Sequence, residues 1–197
     1  MEISLRSNRL EGEIPAPAVA VAVAALPALH VMDFSHNGLW GTLPALPGAA
    51  FDHPSLEQLT LACDRLESVQ GPWDGGLGSQ LIALDLEHNC LGGLLPTFLG
   101  SMPRLSALSL EDNWFTGMIP TQYAVRAGGA VPFARLNLSE NYLFGPIPSP
   151  IGGLMEGSAM VSLADNCLFR CPPEFFFSEG GRRKPPTTCR EFNPVIP

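Results

Sequence analysis

One phrase returns along this chain and restricts its fold more than any other feature. It reads "LRSNRLEGEIP" from Leu5, "FSHNGLWGTLP" from Phe34, "LEHNCLGGLLP" from Leu86, "LEDNWFTGMIP" from Leu110 and "LSENYLFGPIP" from Leu138. Neither an amphipathic helix nor a simple hairpin strand closes on Gly-x-Ile-Pro. Anchored on the asparagine, units fall at Asn8, Asn37, Asp64, Asn89, Asn113, Asn141 and Asn166, 24 to 29 residues apart. A period of that length is the mark of a solenoid, in which each unit buries its apolar face only by stacking on its neighbours.

Upstream of each anchor the apolar residues keep a second spacing: Leu29, Met32 and Phe34; Leu56, Leu59 and Leu61; Leu81, Leu84 and Leu86; Leu105, Leu108 and Leu110; Phe133, Leu136 and Leu138. Together these give LxxLxLxxNxL, the leucine-rich repeat. The downstream GxIP or GxLP, present in five of the seven units, resembles the plant-type extracellular subclass found in receptor-like protein ectodomains and polygalacturonase-inhibitor-like proteins. The resemblance implies an α/β solenoid: a right-handed superhelix of about seven repeats with a parallel concave β-sheet and a mostly irregular or 3-10 convex side. In that fold the leucines of LxL point inward and the residue between them faces the concave surface. The anchor amides of Asn8, Asn37, Asn89, Asn113, Asn141 and Asn166 satisfy backbone groups at the bend, forming a structural ladder. By the same resemblance GxIP makes a second short strand, with glycine permitting the bend and proline stiffening the turn.

Two units depart from the pattern. The third has Asp64 in the asparagine slot and no GxIP, which predicts a glycine-rich loop and a locally weaker ladder. The fifth carries the extra "YAVRAGGAVP" from Tyr123, expected to bulge outward because insertions go where packing permits. The alanine-rich stretch 16–32 is interrupted by Pro17 and Pro27 and runs into the second repeat, so it reads as a convex segment and not as a membrane insertion. A formal net charge of -8 disfavours nucleic acid, which demands a basic face. The 20 Gly and 20 Pro reflect recurring turns, since an apolar fraction of 46% supports a packed core.

Domain organisation follows: repeats over 1–166, then a cysteine-containing C-terminal cap over 167–197. Family members open with a signal peptide and a cysteine-bearing cap, whereas Met1 is followed at once by mid-repeat sequence, so the expectation is an N-terminally truncated member. Cys171 stands about where the family carries the first cysteine of its C-terminal cap, and the resemblance pairs it with Cys189; Cys167 competes for the same partner. Phe175, Phe176 and Phe177 are expected to seal the last turn, and "GGRRKPP" reads as a solvated loop. A disulfide there implies an oxidising compartment.

The repeat register orders the concave residues. One column holds Ser4, Asp33, Thr60, Asp85, Ser109, Asn137 and Ser162, and a second holds Arg6, Ser35, Ala62, Glu87, Glu111, Ser139 and Ala164. Asp33, Asp85, Glu87, Ser109, Glu111 and Asp112 form the candidate ligand-binding set, an acidic stripe suited to lysine or arginine of a partner. The seven strands would span roughly 29 Å. Asn137 lies in the sole N-glycosylation sequon, on that face. His36, Cys63 and His88 on successive strands are zinc-ligand types. Straight stacking leaves the histidines roughly 10 Å apart, however, and no paired-ligand spacing accompanies them, so no metal is expected. No phosphate loop, HExxH or GxSxG is present, so no catalytic residue and no cofactor are assigned. These features point to a non-catalytic module that recognises a protein or peptide, with a coreceptor as a further partner. The setting implied is extracellular or at the cell surface, in signalling or defence. The alternatives are an inhibitor of a secreted cell-wall hydrolase and a structural or cytoplasmic scaffold.

Overall fold

The computed structural model describes residues 1–14, 25–43, 51, 53–72, 74–125, 133–152, 154, 159–169 and 182–192. Each unit contributes one strand to a parallel sheet: β1 (Glu2–Ser4), β3 (Val31–Asp33), β5 (Gln58–Thr60), β7 (Ala83–Asp85), β9 (Ala107–Ser109), β11 (Arg135–Asn137) and β13 (Met160–Ser162). They lie in chain order, so no strand crosses over another. Leu84 and its counterparts at the strand centres point into the core, and Leu59, Leu84, Leu108 and Leu136 are each 1% exposed. Leu56, Leu81 and Leu105 before the strands, and Leu61, Leu86 and Leu110 after them, complete the buried column.

Every unit also forms a second strand beyond the anchor: β2 (Glu11–Glu13), β4 (Gly38–Leu43), β6 (Arg65–Val69), β8 (Gly92–Leu94), β10 (Trp114–Gly117), β12 (Tyr142–Pro146) and β14 (Cys167–Phe169). These make two lateral sheets, β2-β4-β6 and β8-β10-β12-β14. The third unit therefore keeps its lateral strand without GxIP. Its irregularity appears instead as a register slip between Gly41 and Thr42 against β6. The loop that follows is organised by the Asp74 carboxylate, which accepts the amides of Gly76 and Gly78.

On the convex side the units differ. A short helix spans Thr97–Ser101, a 3-10 turn spans Thr121–Tyr123 and another helical turn spans Ser149–Gly152. The insertion expected to bulge outward from Tyr123 begins inside the core. Tyr123 and Ala124 are fully buried, with the Tyr123 hydroxyl donating to the Pro96 carbonyl and its ring 5.7 Å from that of Phe133. An aromatic ring with a polar tip is stable there because both ends find partners. The remainder of the insertion, 126–132, falls outside the described residues, as does 16–24 of the alanine-rich stretch. No described helix is long and apolar enough to cross a membrane.

At the C-terminal end the disulfide joins Cys189 to Cys167, not to Cys171. The reason is positional. Cys167 opens β14, is fully buried, and faces the helix Pro186–Phe192, which carries Cys189 against Phe144 and Phe169. Their Cα atoms are 5.7 Å apart, within the span a disulfide bridges. Cys171 and the three phenylalanines lie outside the described residues. The basic segment is held down rather than simply solvated. Arg182 pairs with Asp165, Lys184 sits 4.7 Å above the Tyr142 ring, and Phe192 stacks on the same ring at 3.5 Å.

Candidate functional site on the concave face

The anchor asparagines set the geometry of the site because they fix the bend where each concave strand ends. In each inner slot the side-chain oxygen accepts an amide from the preceding turn: Leu66 onto Asn89, Leu91 onto Asn113, Phe115 onto Asn141 and Leu143 onto Asn166. The Nδ2 group donates back to carbonyls of its own turn and one turn before, as Asn113 does to Leu110, Glu111 and Leu86. Asn37 does the same with Leu10, Phe34 and Leu5. Asn8 is exposed and bonds only to Leu5 and Arg6 within its own turn. Asp64 accepts the Leu39 amide through Oδ1, but its buried Oδ2 has no partner.

To bring the anchor inward, the residue before it adopts a left-handed backbone. Ser7, His36, Cys63, His88, Asp112, Glu140 and Asp165 all have φ between 47° and 58°, a region non-glycine residues seldom occupy. This column, which held the zinc-ligand types, is a rim of exposed or half-buried side chains beside the sheet. His88 Nδ1 lies 2.7 Å from an Asp112 carboxylate oxygen, and His36 lies 3.3 Å from the Arg6 guanidinium. The bond to Asp112 raises the His88 pKa above its ordinary 6.5.

The first concave column is in register across the sheet: Ser4, Asp33, Thr60, Asp85, Ser109, Asn137 and Ser162 align strand to strand. The second column is less open than its pattern implies. Ser35, Ala62, Ser139 and Ala164 are 5% exposed or less, because the chain is already turning inward; the longer Arg6, Glu87 and Glu111 reach back to the surface. Glu87 accepts the Ser109 hydroxyl at 3.2 Å, and Glu111 accepts the Asn137 amide at 2.6 Å. Three of the candidate ligand-binding residues, Glu87, Ser109 and Glu111, are thereby tied into two cross-strand pairs, the second with the sequon residue Asn137, while Asp33 and Asp85 stand apart from these.

Asp33 and Asn137 share a local device. Asp33 Oδ1 accepts both the amide and the hydroxyl of Ser35, and Asn137 Oδ1 accepts both from Ser139. Asp85 accepts the Glu87 amide alone. The Asn-Leu-Ser sequon thus coincides with a side-chain turn that pins the strand end. Negative charge accumulates between these groups. Burial raises the Asp85 pKa first, with Glu87 and Asp33 adding to the rise. The thiol of Cys63 is raised chiefly by burial and then by Glu87, Asp85 and Asp64.

A further concave column was missed in the sequence. Glu2, Val31, Gln58, Ala83, Ala107, Arg135 and Met160 open the strands and face the same way as Asp85, two residues on. The signal was available in the second x of LxxL, since side chains alternate along a strand.

Stacked parallel strands, a buried leucine column and an asparagine ladder define a leucine-rich repeat solenoid. The leucine-rich repeat family matches the chain over residues 54–115 and again over 134–154. Among solved structures, PEPR1 with AtPEP1 is 27% identical with a TM-score of 0.66, over 83% of this chain and 21% of that one. Pollen Receptor Kinase 3 is 27% identical with a TM-score of 0.64, over 85% of this chain and 72% of that one. The ectodomain of the Arabidopsis receptor kinase HAESA, in complex with a peptide hormone ligand, shares the fold at 24% identity and a TM-score of 0.64, over 86% of this chain and 26% of that one. No curated protein sequence matches. The chain carries leucine-rich repeats and is similar in fold and sequence to these plant receptor ectodomains, and it spans about a fifth of the PEPR1 chain.

Proposed function

We propose that this domain is a non-catalytic recognition module of a secreted or cell-surface protein, which holds an extended basic peptide or protein segment along its concave sheet. The observation that carries this reading is the register of acidic side chains across β3 to β9. Asp33, Asp85, Glu87 and Glu111 share one face, and the Asp85 carboxyl and Cys63 thiol, raised chiefly by burial, are raised further by neighbouring carboxylates. A lysine or arginine laid on this face relieves that crowding, setting orientation and association rate more than raw affinity. Seven strands roughly 4.8 Å apart accommodate about nine residues of extended chain. The buried disulfide suits an oxidising compartment, and the similar PEPR1 structure contains AtPEP1. A role in signalling or defence, and a coreceptor, extend the same reading.

A glycan on Asn137 would displace its bond to Glu111 and shield the C-terminal third of the sheet, leaving β3 to β9 for the ligand. The test is capture on an array of twelve-residue peptides of systematically varied charge, with the native protein and the Asp85→Asn, Glu87→Gln, Glu111→Gln triple variant side by side. The native protein should select peptides with basic residues, and the variant should lose at least tenfold in retention. Equal retention by both proteins refutes the concave reading. Selection of neutral or acidic peptides refutes the charge assignment.

A further inference from the structure

We propose that Asp64 makes the third turn an acid-tightened joint, in which a proton on its carboxyl completes the ladder that an ionised carboxylate leaves open. The argument starts from the neighbouring slots. Asn37 donates Nδ2 to the carbonyls of Leu5, Phe34 and Ser35, and Asn89 donates to those of Leu61, Leu86 and Glu87. The same register sets the carbonyls of Phe34, Leu61 and Ala62 beside Asp64. Its Oδ1 performs the amide's accepting role toward Leu39 at 3.0 Å. That leaves Oδ2, buried and unpartnered, on the side where every neighbouring anchor presents an N–H.

A carboxylate has only lone pairs to offer carbonyl oxygens, whereas the neutral acid carries one O–H donor. Burial of an unsatisfied charged oxygen is costly, and the group relieves that cost by taking up a proton. Burial does push the Asp64 carboxyl above its ordinary 3.8; the backbone amides of Leu39 and Asn37 and the charge of His36 on the preceding turn oppose the rise. The thiol of Cys63 beside it is itself pushed up and stays protonated near neutral pH. The slots on either side hold the neutral amides Asn37 and Asn89.

The position amplifies the effect. The lateral sheet stops after β6 and resumes only at β8, and β4 slips register against β6. The Asp64 rung joins β6 to β4, so the concave sheet, this slipped lateral pairing and the ladder all connect the two turns, and the ladder is the one that depends on pH. Asp33, Thr60 and Asp85 straddle the joint on the concave face, so its stiffness bears on how flat that face is held.

The sign follows from linkage. A carboxyl whose folded pKa is raised costs stability above that pKa. Stability is regained as pH falls through it toward 3.8, at up to tenfold in the unfolding constant per pH unit. The experiment compares the native protein with Asp64→Asn, which supplies the N–H permanently and keeps the slot's shape. Urea unfolding is followed from pH 4 to 8, with side-chain carboxyl titration of Asp64 by NMR. Asp64→Asn should be more stable near neutrality, with the gap closing on acidification, and Asp64 should titrate above 3.8. A gap that stays constant across the range overturns the proposal, and so does an Asp64 that titrates at or below 3.8.

Discussion

Replacing Asn113 with alanine isolates what one rung of the ladder contributes. Four hydrogen bonds disappear, but they are not equivalent. The carbonyls served by Nδ2 keep other donors: Leu86 has Asn89, Leu110 has Asn141, and Glu111 has the His88 amide. Only the Leu91 amide, which donates to Oδ1 at 3.0 Å, is left buried with nothing to bond. A stranded buried donor costs about 1–3 kcal/mol, and loss of the weaker shared bonds adds a fraction of that. The expected loss is therefore about 2 kcal/mol, or about 4–8 °C in Tm for a chain of this length. Asn8→Ala is the matched control, because Asn8 is exposed and bonds only within its own turn; it should cost under about 0.5 kcal/mol. Both are read by urea and thermal unfolding under far-UV circular dichroism. If Asn113→Ala and Asn8→Ala were equally mild, the ladder would not carry inter-turn cohesion, and the reasoning would fail.

Three further perturbations probe other contacts. Gly100→Ala builds a Cβ 2.6 Å from the Gln122 backbone carbon, where no side chain can move aside, so it should destabilise by about 1–3 kcal/mol in the same assay. Cys189→Ser opens a cross-link between positions 22 apart in sequence and should cost about 3 kcal/mol by loop entropy, whereas Cys63→Ser and Cys90→Ser, both free thiols, should leave disulfide content by thiol labelling unchanged. Asp112→Asn replaces the carboxylate that raises His88 with a neutral amide, so NMR titration should show the His88 pKa falling toward 6.5; the pair's small stabilisation is present below 6.5 and fades as pH rises through the folded value.

The periodic parts of this molecule were legible because repetition multiplies a weak signal. Leu84 and Asn89 alone say little, yet the same spacing in seven units placed every concave strand, the first concave column in register and the ladder. What repetition could not reveal lay where a single unit is idiosyncratic. Cys167 belongs to a repeat position that holds Trp114 and Tyr142 in other units, so nothing in the period marks it as the partner of Cys189. Tyr123 looked like the start of an outward loop because insertions go where packing permits, but its hydroxyl bonds the Pro96 carbonyl 27 residues away in sequence. The left-handed column from Ser7 to Asp165 was visible as a list of residues but not as a conformation, because five residue types share it and none is glycine. Burial of Ser35 and Ser139 depended on short-range bonds to Asp33 and Asn137 that apolar periodicity does not encode.

The account's central claim is that ligands sit on the concave sheet and not on the lateral strands. Photo-cross-linking reads this directly: a benzophenone amino acid is placed at Ala107, on the concave face between Ala83 and Arg135, or at Met118, an exposed residue just past lateral strand β10. Each protein is irradiated with the strongest peptide from the charge-varied array. The account predicts adducts from Ala107 and none from Met118; adducts from Met118 alone, or from neither position, would contradict it.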